Sequence, residues 1–217
     1  MNQAFEDYLK LIYELASLNK GGYIKTKLIA DHFGYTLQSV NEMVKKLAQK
    51  KLITFTPYKG IKLTKKGSLE ALRMIRAHRI WEVFLAEKLG LSWELLHEEA
   101  EKLEHVTSEH VINRLYDYLN HPKTCKHGNP IPDRFGHMDA YYTTTLWDVS
   151  TKDIFTIKRV LDQKAILVFL ANHDIHINDQ VKVISKETET GLLIIDHHNQ
   201  TITLSETISK SIYGEVN

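Results

Sequence analysis

Residues 26–63 read TKLIADHFGYTLQSVNEMVKKLAQKKLITFTPYKGIKL. Thr26 precedes a short helical pattern that closes at Gly34, and Thr36 is a good N-cap for a second helix with Val40 and Val44 on one face. The segment ITFTPYKGIKLT then alternates and turns at residues 58–60, which predicts a β-hairpin. A helix–turn–helix followed by a two-stranded hairpin predicts a winged helix-turn-helix.

The charge of the chain is unevenly distributed. Residues 1–76 carry 14 Lys and Arg against six Asp and Glu, a net charge of +8, whereas the remainder carries 14 against 21, a net charge of −7. A basic module of this kind predicts a polyanion partner, here double-stranded DNA. A solvated lysine surface, or a winged helix that binds another protein, is the alternative. The predicted DNA-contacting residues lie on the recognition helix and the hairpin: Thr36, Gln38, Ser39, Asn41, Lys45, Lys59 and Lys62.

The remaining helices are predicted from apolar spacing and capping residues. Residues 4–18 and 65–89 each have a helical pattern, and Gly90 ends the second. Ser92 is expected to cap a helix to about residue 106, and Ser108 another to about residue 119. These segments make the chain mainly α up to this point.

The second half of the chain changes character. Residues 120–142 hold three of the four prolines and are predicted to be a loop or linker. Beyond Leu146 come the runs FTIKRVL, AILVFLA, QVKVISK, GLLIIDH and QTITLSE, which predict a small β-barrel. We therefore expect three domains: a DNA-binding domain at 1–72, a helical metal-binding and dimerisation domain at 73–142, and a β domain at 143–217.

Several classes of protein are excluded by composition. No apolar run approaches the roughly 20 residues that span a bilayer, and no signal peptide is apparent, so we expect a cytoplasmic protein without a membrane partner. The single cysteine rules out an intrachain disulfide framework. Neither an HExxH motif nor a Gly-rich phosphate loop occurs, which predicts a protein that is not an enzyme and has no small-molecule substrate.

Residues 78–105 contain a pattern typical of a metal site. His97, Glu101 and His105 recur every four residues, and Glu104 is three from Glu101, so Glu101, Glu104 and His105 can converge. His78 on the preceding helix could complete the set. Carboxylate and imidazole ligands without a nearby thiolate favour Mn²⁺ over softer ions. Solvated side chains, a Glu–His ion pair, or a water-activating metal hydrolase remain alternatives.

A second, weaker pattern is the CxH pair of Cys125 and His127 in the proline-rich loop. A free cysteine in such a loop is commonly structural, so the pair alone predicts little. Partners would have to come from elsewhere in the fold, with Glu82 and Asp162 as candidates.

Five segments of this sequence together resemble the diphtheria toxin repressor and manganese transport regulator family. The segments are EDYLKLIY (6–13), IADHFGYTLQSVNEMVKKL (29–47), YKGIKLTKKG (58–67), RAHRIWEVFL (76–85) and HEEAEKLEHVTSEHVINRL (97–115). The resemblance covers essentially the whole chain. It implies a repressor that binds a palindromic DNA operator as a homodimer when metal is bound, and that controls genes for metal uptake.

The resemblance also implies a first metal site made of Asp7, His78, Glu101, Glu104 and His105. Iron-type members have sulfur ligands at the positions of Asp7 and Glu101, so the two carboxylates resemble the manganese-type branch. Members with a binuclear manganese site carry a further acid where this chain has Lys10. Mn²⁺ is therefore the expected ion, with Fe²⁺ as an alternative and Zn²⁺ or Cd²⁺ as substitutes in vitro.

Three-domain members of the family have a second site, whose ligand positions match Glu82, Cys125, His127 and Asp162. His97 matches an accessory ligand of the iron-type members. The C-terminal segment resembles the SH3-like domain of the family, which is related to a small ferrous-transport protein, FeoA. A metal-independent winged-helix scaffold and a metal hydrolase with a DNA-targeting domain are the competing hypotheses.

Overall fold

The computed structural model describes residues 2–18 and 22–217. The chain forms two compact units. The first contains the residues up to His78, with Lys102–Val111 and Pro132–His137. The second contains Arg79–Glu101, Ile112–Ile131 and Met138–Asn217. The three domain boundaries predicted from the sequence stay a prediction.

The first unit contains the predicted winged helix-turn-helix. Its elements are α1 (Gln3–Leu18), α2 (Thr26–Phe33), α3 (Leu37–Gln49), β1 (Ile53–Thr56) and β2 (Gly60–Leu63). The two strands pair antiparallel, in a register that places Ile53 opposite Leu63. Apolar side chains from all five elements form one buried core.

Local chemistry explains where these elements begin and turn. The Thr36 hydroxyl accepts a hydrogen bond from the Ser39 amide at 3.2 Å, as expected of an N-cap, and Gly34 ends α2 in the left-handed region at φ +68°. Gly60 has φ +122°, and a Cβ there would lie 2.4 Å from the carbonyl oxygen of Ile24. Only glycine fits this close approach, which lets Ile24 pair with the hairpin at Ile61.

Three further helices follow the hairpin: α4 (Lys65–Leu89), α5 (Leu96–Glu104) and α6 (Glu109–Tyr118). Ser108 accepts a hydrogen bond from the Val111 amide, as predicted for a cap. Ser92 makes no side-chain cap, and a 3-10 turn at Trp93–Leu95 precedes α5, so the prediction of one helix from Ser92 is wrong. Although α4 has 25 residues, no helix among residues 2–18 and 22–217 combines the length and apolar character needed to cross a membrane.

The C-terminal part of the second unit is an antiparallel six-stranded sheet. Its strands are β3 (Thr144–Thr145), β4 (Ile154–Val160), β5 (Gln180–Glu187), β6 (Leu192–His197), β7 (Gln200–Ser205) and β8 (Ile212–Val216), in the order β3-β8-β4-β5-β6-β7. A 3-10 turn at Leu146–Asp148 and the short helix α8 (Glu206–Ser209) connect strands. The predicted fold class, mainly α with a small β domain, is confirmed.

One of the five runs predicted as strands is a helix. AILVFLA lies within α7 (Lys164–Asn172), which buries Ile166, Leu167 and Leu170 against the sheet. A continuous apolar run has no period that separates a buried strand from a buried helix, and Ala, Leu and Phe are compatible with helix. The prediction was therefore wrong about this element, while the other four runs contain or overlap β4, β5, β6 and β7.

Candidate metal centres and nucleic-acid interface

The first candidate metal centre brings the start of the chain to the end of α5. Asp7 lies on α1, Glu104 is the last residue of α5 and His105 follows it directly. His105 Nε2 is 2.9 Å from Asp7 Oδ1 and 3.5 Å from Glu104 Oε1. One ligand atom from each of the three residues lies within 4.8 Å of the others. Three of the side chains predicted for the first site thus surround one point.

The donors of this centre fit a divalent cation. His105 Nε2 is buried and makes no hydrogen bond of acceptable geometry, although it faces Asp7. A buried nitrogen of this kind has lost its bonds to water, and coordination to a cation would replace them. Two carboxylates and one imidazole are ligands that suit Mn²⁺ and Fe²⁺.

Lys10 lies beside the same cluster and contacts two of the residues predicted to be ligands. Its Nζ donates to both carboxylate oxygens of Glu104, at 2.9 and 3.0 Å, and lies 3.1 Å from His78 Nδ1. Burial alone would raise the pKa of Glu104, but the hydrogen bond with His78 and the positive charge of Lys10 lower it below its usual value. An ammonium group therefore already neutralises Glu104 beside His78.

The second candidate centre lies in the second unit, where α4 meets the loop that follows α6. His127 Nδ1 is 3.0 Å from Glu82 Oε1 and 3.6 Å from Asp162 Oδ2. Ligand atoms of Glu82, Cys125 and His127 lie within 4.8 Å of one another, and all three residues are buried. The four residues predicted for the second site are thus neighbours in the fold.

Burial and the carboxylate of Glu82 together shift the pKa values in this second centre. Burial, together with the negative charge of Glu82, raises the pKa of the Cys125 thiol. Burial disfavours a charged His127, but the carboxylate of Glu82 and the hydrogen bond with Cys125 outweigh it and raise the His127 pKa well above its usual value. His127 Nε2 is buried without a hydrogen bond. These donors fit a cation that accepts a thiolate and an imidazole.

His97 joins this neighbourhood through Asp162. His97 Nδ1 is 2.7 Å from Asp162 Oδ2, and ligand atoms of Glu82, His97 and Asp162 lie within 4.8 Å of one another. The carboxylate of Glu101 lies 3.6 Å from His97 Nε2 and is half exposed. The structure therefore gives His97 a position beside the second centre, while the assignment of Glu101 to the first stays a prediction.

The loop that carries Cys125 and His127 is fixed to the sheet by its backbone. The Val160 amide donates to the His127 carbonyl oxygen at 3.0 Å. Gly128 has φ +78°, and a Cβ there would lie 1.9 Å from the carbonyl oxygen of Lys158. Only glycine permits this approach to β4. Asp162, two residues beyond β4, is thereby held near His127.

The candidate DNA interface lies on α3 and the β1–β2 hairpin. The side-chain oxygen of Thr36 already accepts the capping hydrogen bond of α3. Gln38 and Asn41 are therefore the better candidates for contacts with bases. Tyr58, at the hairpin turn, is 99% exposed. The predicted DNA-contacting residues are all exposed: Thr36, Gln38, Ser39, Asn41, Lys45, Lys59 and Lys62.

Comparison with known proteins identifies the family. Residues 1–61 match the iron dependent repressor N-terminal DNA binding domain, residues 64–133 the iron dependent repressor metal binding and dimerisation domain, and residues 144–216 the FeoA domain. The HTH-type transcriptional regulator MntR of Oceanobacillus iheyensis is 32% identical over 120 residues, which are 55% of this chain and 80% of that protein. The chain belongs to the diphtheria toxin repressor and manganese transport regulator family. It is thus a metal-dependent DNA-binding transcriptional repressor, as predicted.

Two further relatives match different shares of the chain. The iron-dependent repressor IdeR of Mycobacterium tuberculosis is 36% identical over 127 residues, which are 58% of this chain but only about half, 54%, of that protein. A solved structure of the manganese regulator SloR is 35% identical and covers 98% of both chains, with a TM-score of 0.84. The structural likeness to SloR therefore extends over nearly the whole chain.

Three residues around the two centres were not identified from the sequence as contributing to them. Glu6 contacts His105 and Lys10 contacts Glu104. The sequence signal for Glu6 is its place directly before Asp7, and that for Lys10 is its departure from the family pattern. Trp93 stacks on His127, with ring centroids 5.6 Å apart and planes at 19°. No spacing in the sequence relates Trp93 to the CxH motif, since the contact arises only from the fold.

Proposed function

We propose that the repressor responds to Mn²⁺, with Fe²⁺ as the second candidate, and silences genes for metal uptake when the ion is plentiful. The observation that carries the proposal is the meeting of Asp7 on α1 with Glu104 and His105 at the end of α5. Hard carboxylate oxygens outnumber the imidazole nitrogen, and no thiol belongs to this group of three. Such a donor set favours Mn²⁺ over softer ions.

The proposed switch acts through the helix that carries Asp7. A bound ion would supply a positive charge that holds the Asp7 carboxylate to Glu104 and His105. Because α1 packs in the core of the winged helix, fixing Asp7 would fix the DNA-binding module with it. We propose a homodimer whose two recognition helices then enter successive major grooves, about 34 Å apart, of a palindromic operator.

We propose that the first centre takes a single ion. The Lys10 ammonium already lies within 3.1 Å of the donor atoms of both Glu104 and His78. A second divalent ion beside those atoms would be repelled by this buried positive charge. Lys10 therefore supports a mononuclear first site, with His78 engaged by Lys10 and Glu104.

The second centre would be structural. Glu82, Cys125, His127 and Asp162 come from α4, the loop after α6 and the segment after β4, so an ion there would join three separate parts of the second unit. Because a thiolate is among the donors, this site would accept softer ions such as Zn²⁺ or Cd²⁺.

The decisive experiment compares operator binding in Mn²⁺ and in chelator for the wild type, Asp7→Asn and Glu14→Gln. Glu14→Gln makes the same acid-to-amide change on the same helix, away from the centre. We expect Mn²⁺ to tighten DNA binding by about ten-fold or more in the wild type and the control. Asp7→Asn should lose this gain. Equal affinity of the wild type in Mn²⁺ and in chelator would refute the switch.

The competing hypotheses make different predictions. A metal hydrolase would turn over phosphoesters in Mn²⁺, and we expect no turnover. A metal-independent scaffold would have the same melting temperature with and without Mn²⁺, whereas an ion that binds the native state must raise it.

A further inference from the structure

We infer that Glu6 is a positioning residue for the first metal centre, acting through His105; this role rests on the proposed function. Glu6 is 4% exposed and lies on α1 directly before Asp7. Its Oε2 is 2.9 Å from His105 Nδ1, the ring nitrogen that points away from Asp7. Glu6 would thus set the orientation of the His105 ring and which of its nitrogens carries the hydrogen, while Asp7 supplies a ligand.

The effect follows from the two nitrogens of imidazole. A neutral ring carries one N–H, and a carboxylate at Nδ1 favours the form in which Nδ1 donates. Nε2 then has a free lone pair. That atom is buried without a hydrogen bond, 2.9 Å from Asp7 Oδ1. The carboxylate of Glu6 thereby directs the electron pair of His105 toward the other ligands.

Arg73 on α4 holds Glu6 in this orientation. Its Nη2 donates to Glu6 Oε1 at 2.9 Å, and its Nε donates to Glu70 Oε2 at 3.2 Å. One Glu6 oxygen is therefore bound to Arg73 while the other faces His105. The side-chain contacts of Glu6 with Arg73 and His105 thus connect α4, α1 and the end of α5. An ion pair with Arg73 alone would need only one of the Glu6 oxygens. The contact of the second oxygen with His105 therefore favours a role of Glu6 in orienting the His105 ring.

The test uses Glu6→Gln with Glu70→Gln as its matched control. Both substitutions remove one carboxylate from Arg73, but only the first also removes the carboxylate from His105. Both are made in the Cys125→Ala background, which removes a ligand of the second centre. Two quantities are measured: Mn²⁺ affinity by titration, and the tautomer of His105 in the metal-free protein by ¹⁵N NMR.

We expect Glu6→Gln to weaken Mn²⁺ binding by about ten-fold or more and to reduce the fraction of His105 protonated at Nδ1. Glu70→Gln should leave both quantities unchanged. If Glu6→Gln fails to fold, Arg73→Lys replaces it, because it keeps the charge but loses the fork that fixes Glu6. We expect Arg73→Lys to weaken Mn²⁺ binding measurably relative to Glu70→Gln, which should bind Mn²⁺ as the parent protein does.

Each other outcome overturns the inference in an identifiable way. Unchanged affinity in Glu6→Gln and Arg73→Lys would make the contact an ordinary ion pair. Lost affinity with an unchanged tautomer would make Glu6 a direct ligand. Both results leave the proposed function intact, since the parent protein still binds Mn²⁺. A parent protein without first-centre binding would instead refute the proposed function itself.

Discussion

The first candidate metal centre offers two carboxylates and an imidazole, whereas the second contains the buried thiol of Cys125. The first includes Asp7, on the helix that packs into the DNA-binding core, and the second reaches forward to Asp162 after β4. A divalent ion bound at one candidate centre would thus act on different parts of the chain from an ion bound at the other. Hard donors close to the DNA-binding module suit a switch, and a softer donor set among distant segments suits a structural clamp.

The centres also differ in how their charges are balanced before an ion binds. In the first, Glu104 is ionised and paired with the ammonium of Lys10, and its pKa lies below the usual value. In the second, the pKa values of Cys125 and His127 are both raised, which favours the protonated form of each side chain. An ion would therefore meet a carboxylate already paired with an ammonium group in the first centre, and groups that favour their protonated forms in the second.

The largest effect should come from Glu104→Gln. The substitution leaves the buried ammonium of Lys10 without its carboxylate, which should destabilise the protein by about 3 kcal/mol in urea denaturation. It should also abolish the response of DNA binding to Mn²⁺. Because the pKa of Glu104 is lowered, its stabilisation is present above the pKa of an unfolded glutamate and is lost as the pH falls through the folded pKa. The variant should lack this acid-dependent loss.

The control for this variant is Glu98→Gln, on the same helix. Glu98 pairs with Lys164 at 2.8 Å, but both side chains are more than half exposed, so the change should cost less than about 1 kcal/mol. If Glu104→Gln were as stable as this control, Lys10 would not be an internal counter-ion. The two centres would then not differ in the way their charges are balanced before an ion binds.

The next largest effect is the pH dependence of Zn²⁺ binding at the second centre. Both Cys125 and His127 must lose a proton to become ligands, and their raised pKa values oppose that loss. Affinity should therefore rise with pH, by up to about 100-fold per unit while two protons are displaced. Calorimetry in buffers of different ionisation enthalpy counts the protons released. Glu104 at the first centre has no proton to release at neutral pH.

Two variants separate the centres in this measurement. Asp7→Asn removes a proposed ligand of the first centre, so we expect the Zn²⁺ titration of that variant to report the second. Adding Cys125→Ala should reduce the protons released by one and weaken Zn²⁺ binding about ten-fold or more. Proton release that is the same with and without the thiol would mean that Cys125 is not a ligand.

The winged helix-turn-helix was predicted well because its sequence signals are local. The cap at Thr36 and the turn at residues 58–60 depend on a few adjacent residues, and both are present in the structure. AILVFLA was assigned wrongly because an apolar run buried on all sides has no periodicity. Its helical state is decided by packing against the sheet, which local patterns do not encode.

The candidate centres were predictable only in part. Spacing along α5 places Glu104 and His105 together, but the contacts of Lys10 and Glu6 depend on how α1 packs against α4 and α5. Lys10 was visible as a departure from the family pattern, and its position beside Glu104 was not. Residues nearly 100 positions apart in the sequence meet in this way only after the core has formed.

The smallest effect should come from Lys59→Ala. This variant tests whether DNA contact by the winged helix-turn-helix is independent of metal binding at both centres. Lys59 is exposed in the β1–β2 turn and should neutralise one phosphate, so its loss should lower the slope of log affinity against log salt by about 0.9. Affinity should fall for all DNA sequences alike, while the ratio of affinities in Mn²⁺ and chelator stays constant. Lys164→Ala, in the β domain, should change neither quantity. A changed ratio in Lys59→Ala would make the hairpin part of the switch, and the separation between DNA contact and metal response would fail.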